Sequence, residues 1–145
     1  MALLERARTV ADAMISTARV HGPEATVGQV RAAFDDDHIH AVVILSGDVL
    51  AAVIERADLS VVTSDARPAA AFGTLRDRTV APDVELEQTR QHMLRTGRRR
   101  LAVVGSDRTY RGLLCLKRDG TGFCSDADVL ARAAERVQRR RCSAP

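Results

Sequence analysis

Two segments of this chain carry the same local signals in the same order, and one register relates them. An offset of 59 positions pairs Val27 with Leu86, Gln29 with Gln88, Arg31 with Arg90, Phe34 with Met93 and Val42 with Leu101. A fixed period of this length means that one supersecondary unit occurs twice and buries its apolar face against its copy. In the first copy, Thr26 stands before an apolar stripe at Val27, Val30 and Phe34, the spacing of a capped helix that runs out at Asp35-Asp36-Asp37. Ala41 to Leu45 then reads as a buried strand, Ser46-Gly47-Asp48 as a turn, and Val49 to Ile54 as the strand that closes a hairpin. Asp58 is placed to cap a short helix through Leu59, Val61 and Val62. The second copy repeats the order, with a helix from Leu86 to Leu94, a stop at Gly97, a strand Leu101 to Val104, a turn at Gly105-Ser106-Asp107 and a strand Gly112 to Leu116. Short lead-ins, Thr9 to Met14 and Thr74 to Val80, precede the copies, and residues 64–73, with Pro68 and an alanine run, connect them.

Composition narrows the function classes. The 145 residues, 46% of them apolar, suffice for one body with a buried core shared by two half-size repeats. No run of about 18 apolar residues occurs, and Glu5 and Arg6 introduce charge too early for a secretory leader, so a cytoplasmic protein without a membrane span is expected. Cys115, Cys124 and Cys142 lack paired spacing and suit a reducing compartment. The net charge of +3 comes from arginine, concentrated at Arg98-Arg99-Arg100 and Arg139-Arg140-Arg141, with Lys117 the only lysine. Tyr110 is the only Tyr and there is no Trp, so stacking platforms for single-stranded nucleic acid are missing and that partner is not expected. No G-x-S-x-G, H-E-x-x-H, Cys/His pairing or P-loop glycine string is present; the chain reads as no enzyme, with no catalytic residues. Asp35 to His40 contains metal-ligand residue types, but it spans a helix end and a loop with Ile39 turned inward, so neither a metal site nor a required cofactor is expected.

The segments have a familiar form. Val10-Ala11-Asp12-Ala13-Met14, Gly97 to Val104 and Ala52 to Leu59 resemble, in order, the V-x-D-x-M lead-in, the glycine-hydrophobic loop with its V-V strand, and the closing T-x-x-D-L signature of the cystathionine-β-synthase (CBS) domain pair. The likeness extends over about Thr9 to Ala134. It implies an α/β fold of two tandem β-α-β-β-α repeats, related by a pseudo-two-fold axis and packed through their sheets. Repeat one would cover about 9–63 and repeat two about 74–134, with a terminal helix or tail over 129–145. In ligand-binding members the Thr or Ser and the Asp of the signature hold the ribose of an adenosine nucleotide. Here Glu55 replaces the Thr beside Asp58, which compromises the first site, because a carboxylate accepts but cannot donate. In repeat two, Cys115 and Arg118 match the signature poorly. If Lys117 to Gly122 is an inserted turn, Ser125 and Asp128 supply it, and a single ligand would then bind there. The resemblance also implies that Arg98, Arg99 and Arg100, with His40 matching Arg99 by offset, hold phosphate through bidentate guanidinium donation.

Each of these residues has a second use. Asp58 and Asp128 stand where helix N-caps belong, and a cap contributes about 1 kcal/mol whether or not a ribose also binds. An arginine run in a loop is also an ordinary solvated turn. Two function classes follow from the resemblance: a regulatory module that binds AMP, ADP, ATP or S-adenosylmethionine between its repeats, and a dimerising interaction scaffold whose ligand sites have degenerated. In either case a homodimer is the expected assembly, with an unidentified regulated protein as partner. The arginine-rich end is read as a helix packed on that dimer or as a free arm.

Overall fold

Alternation along the hairpin strands decides how the layers stack. The computed structural model describes residues 8–16, 20–37, 39–128, 130, 131 and 134, so His38 and the arginines at 139–141 lie outside it. Strands β2 (Ala41–Ser46) and β3 (Val49–Glu55) pair antiparallel, with Val43 opposite Val53. Successive side chains on a strand point to opposite faces. Val42, Ile44, Ala52 and Ile54 therefore pack under helix α2 (Val27–Phe34), while Ala41, Val43 and Val53 face the other repeat. Strands β5 (Arg100–Val104) and β6 (Tyr110–Cys115) do the same. Leu101, Val103 and Leu114 pack with Leu86 and Met93 of helix α3 (Leu86–Thr96), whereas Ala102, Leu113 and Cys115 join the shared layer. The molecule is thus helix, sheet, sheet, helix, with one apolar layer made jointly by both repeats.

Each hairpin gains a third, parallel strand from the chain ahead of it. β1 (Val20–His21) lies along β2 with Val20 opposite Val43, and β4 (Thr79–Val80) lies along β5 with Thr79 opposite Ala102. Both pairings keep the offset of 59. Before these strands the lead-ins change places. Ile15 exchanges backbone hydrogen bonds of 2.8 and 2.9 Å with Leu113 of the second repeat, and Thr74 exchanges bonds of 3.2 and 3.3 Å with Val53 of the first. Helix α1 (Val10–Ala13) packs beside α3, where the Val10 N–H donates to the Val84 carbonyl and the Leu86 N–H to that of Arg8. Residues Ala69–Phe72 form a short 3-10 helix that docks identically near α2, the Ala69 N–H donating to Ala25 and the Val27 N–H to Arg67. Each repeat is therefore completed by a segment that precedes the other.

This exchange revises the register at the lead-ins. Sequence reading gave Thr9 to Met14 and Thr74 to Val80 as the two lead-ins and 64–73 as connector; the structure puts Thr74 in the place of Ile15 and Ala69–Phe72 in the place of α1. The lead-ins are short and carry no apolar period of their own, and only the 59-residue offset carried back from the strands gives their register. At the crossings, backbone and side chain fit closely. A Cβ on Gly73 would lie 3.0 Å from the Ala52 Cβ, and one on Gly112 would lie 2.7 Å from the Ile15 carbonyl oxygen and 3.2 Å from the Met14 side chain. Among the described residues no helix is long and apolar enough to cross a membrane.

Candidate functional site

A helix stop creates a cleft between the repeats. Gly97 adopts φ 71°, the left-handed conformation that glycine enters without steric cost, and the Gly97 and Arg98 N–H groups both close onto the Met93 carbonyl. The chain then turns sharply from α3 into β5 and carries Arg98, Arg99 and Arg100 past the end of the first repeat. There they meet His40, from the loop before β2, and Glu55 to Ala57, from the end of β3. The open cleft has a volume of about 440 Å³, within the range of roughly 300–1,000 Å³ common for small-molecule sites. It lies between the repeats, and the four residues expected to hold phosphate all line it.

The arginines are not equally available. Arg98 Nη1 pairs with Glu55 Oε2 at 2.7 Å. Arg100 is buried and donates from Nη1 to the carbonyl of Arg99 at 3.0 Å. Arg56 is spent on backbone, donating to the carbonyls of Phe34, Asp36 and Ile39 while its guanidinium lies over the Phe34 ring. Arg99 differs: its Nε is buried without a hydrogen-bond partner, and its guanidinium has no ion pair among the described residues.

Behind the cleft lies an ionic network that sequence reading missed. Arg78, just ahead of β4 and 8% exposed at its side chain, makes two bonds to Asp58, 2.6 Å from Nη1 to Oδ2 and 3.0 Å from Nη2 to Oδ1. It also donates to the Val53 carbonyl at 2.7 Å and pairs with Glu55 Oε1 at 3.1 Å. Glu55 thus bridges Arg78 and Arg98, both from the second repeat. Burial disfavours the charged form of Asp58, but the Arg78 guanidinium and the Glu55 amide outweigh it and hold the carboxyl below its ordinary value. The Asp58 bond in turn raises Arg78 above the usual arginine value.

Asp58 is consequently a cap and a salt-bridge partner. Its Oδ2 accepts the Glu55 N–H at 2.7 Å at the start of the 3-10 helix Arg56–Leu59. Ser125 and Asp128 form the same device: the Ser125 N–H donates to Asp128 Oδ2 at 3.0 Å and the Asp128 N–H to Ser125 Oγ at 3.1 Å, at the start of helical residues 126–128. The expected inserted turn is visible between them and β6. Leu116 bridges Phe123, the Lys117 N–H donates to Gly122, and Gly120 takes φ 74°. Ser125 and Asp128 do not line the arginine cleft. Their segment meets the other lead-in instead, where the Ser16 N–H and hydroxyl donate to Asp126 at 2.8 and 3.1 Å. The Asp35–His40 run sends His40 to the cleft, and no three His, Cys, Asp or Glu side chains cluster as metal ligands among the described residues.

No family model matches the sequence, and no curated protein matches it either. Solved structures do. CBSX2 in complex with AMP is 20% identical, aligning over 90% of this chain and 98% of that one with a TM-score of 0.63. A putative acetoin utilization protein, AcuB, from Vibrio cholerae is 18% identical over 97% of this chain and 100% of its own, also at 0.63. The CBS domain pair of protein MJ0100, in complex with 5′-methylthioadenosine and S-adenosyl-L-methionine, is 12% identical over 90% and 99%, at 0.61. With two hairpin repeats, exchanged lead-ins and a cleft where the repeats meet, the fold of this chain is that of a tandem CBS-domain pair.

Proposed function

We propose that the chain is a non-catalytic regulatory module that binds an adenosine-type nucleotide, AMP, ADP, ATP or S-adenosylmethionine, between its repeats. One observation carries this reading: His40, Arg98, Arg99 and Arg100 converge on a single inter-repeat cleft, where Arg99 has no ion pair among the described residues. Structural neighbours complexed with AMP, and with S-adenosyl-L-methionine, support the ligand class. In this reading Arg98 and Arg99 take the phosphate and His40 assists. Asp58 serves as ribose ligand only if it lets go of Arg78, while Ser125 and Asp128, which do not line the arginine cleft, serve as a ribose pair at a separate site, since the Ser125 hydroxyl that accepts from Asp128 can still donate. No cofactor is required, and the module works as a cytoplasmic homodimer. Exposed Val61 and Leu94, 85% and 49% accessible, are the apolar contacts such a dimer would cover.

The test is thermal stability with each nucleotide. A ligand present at about 100 times its dissociation constant stabilises by about 2.7 kcal/mol, a shift of several degrees for a chain this size. Absence of any shift at millimolar concentration removes the reading. A scaffold role is favoured by a different observation, the internal satisfaction of Glu55 and Asp58 by arginines of the second repeat. It predicts partner capture that added nucleotide leaves unchanged.

A further inference from the structure

We infer that Glu55 is a built-in competitor for the cleft's anion, holding Arg98 until a ligand phosphate replaces it. The inference rests on the nucleotide-binding reading above and concerns its regulation. A phosphate entering between the repeats finds two guanidinium groups within one loop. Arg99 has no ion pair among the described residues, but Arg98 is held at 2.7 Å by Glu55. A phosphate must therefore exchange for a carboxylate at Arg98, and the cleft binds more weakly than its arginine content suggests.

Glu55 does not lose its footing in the exchange. Its other oxygen sits 3.1 Å from Arg78, and its N–H stays bound to Asp58. The carboxylate can turn from two arginines to one while the cap and the Arg78–Asp58 pair persist. The Glu55–Arg98 pair ties the end of β3 in repeat one to the α3–β5 loop in repeat two, so its replacement by phosphate gives the ligand a direct handle on how the repeats are joined. That is a differential contact of the kind that lets a ligand shift a conformational balance.

The experiment is a double-mutant cycle on AMP affinity by calorimetry with the full chain, using wild type, E55Q, R98A and R98A/E55Q. The pair, about a quarter exposed on either side, predicts that E55Q binds AMP about two- to fivefold more tightly. The gain should vanish in the R98A background, where no guanidinium remains to be freed. A gain of equal size with and without Arg98 would show only general repulsion between Glu55 and phosphate, and would overturn the inference. E55Q binding no tighter than wild type would overturn it too, leaving nucleotide binding intact. If neither protein binds AMP at millimolar concentration, both readings fail together. E55S, which supplies a favoured capping hydroxyl, is the second variant should E55Q melt early, and the same gain is expected.

Discussion

At the end of its hairpin each repeat must pass from a strand into a helix, and the two repeats do so differently. Repeat one turns at once: β3 ends at Glu55, and the Glu55 N–H is already capped by Asp58. Repeat two runs on through Leu116, makes the 117–122 turn, returns through Phe123, and only then caps a helix with Ser125 and Asp128. The capping device is identical, yet its surroundings are not. Asp58 closes on a buried arginine and Glu55 reaches across to the arginine loop, whereas Asp126 takes the main chain and hydroxyl of Ser16. Duplication thus preserves a local hydrogen-bond motif while the charges around it diverge, and the ligand-facing chemistry follows the charges.

The sharpest way to break the comparison lies at the lead-in crossings. Ala52 packs against Gly73 in one repeat, and Gly112 packs against Met14 in the other, so each crossing has one glycine but on opposite sides. Gly112→Ala drives a methyl into the Ile15 carbonyl oxygen and should destabilise by about 2–3 kcal/mol in urea melts. Wild-type stability in this variant would mean that the lead-in does not cross there. Asp58→Asn comes next, at about 2 kcal/mol near neutral pH, because it removes a charged partner from nearly buried Arg78. The folded carboxyl lies below its ordinary 3.8, so its contribution is complete above that pH and fades as pH falls through the lowered folded value. The gap between wild type and variant should therefore narrow from pH 7 to pH 3; a constant gap would show that the charge is not responsible.

Much of this architecture was legible beforehand. The alternating apolar hairpins, the glycine stop after α3 and the 59-residue register are local signals, and they predicted both sheets and the Ser125–Asp128 cap beyond an inserted turn. The resemblance placed the three arginines at the cleft, and the offset matched His40 to Arg99; the structure brings all four to one cleft. What escaped were interactions between distant segments. Nothing near Ile15 or Thr74 announces that each pairs with the other repeat's hairpin, and nothing near Asp58 announces Arg78, 20 residues on. Glu55 was read as a loss of function at one site, whereas the structure gives it two arginine partners.

The smallest effect sharpens the second signature. Ser125→Ala removes the acceptor for the Asp128 N–H and should cost about 1 kcal/mol as a lost cap. If Ser125 also meets ribose, the substitution will weaken nucleotide binding beyond what stability explains, and calorimetry of S125A separates the two roles.

The most direct measurement is a crystal structure of the protein grown with millimolar AMP. The phosphate should sit between Arg98 and Arg99, with the Glu55 carboxylate turned from Arg98 and retained by Arg78. A phosphate bound away from these arginines, or a cleft without nucleotide and an unbroken Glu55–Arg98 pair, would contradict the account.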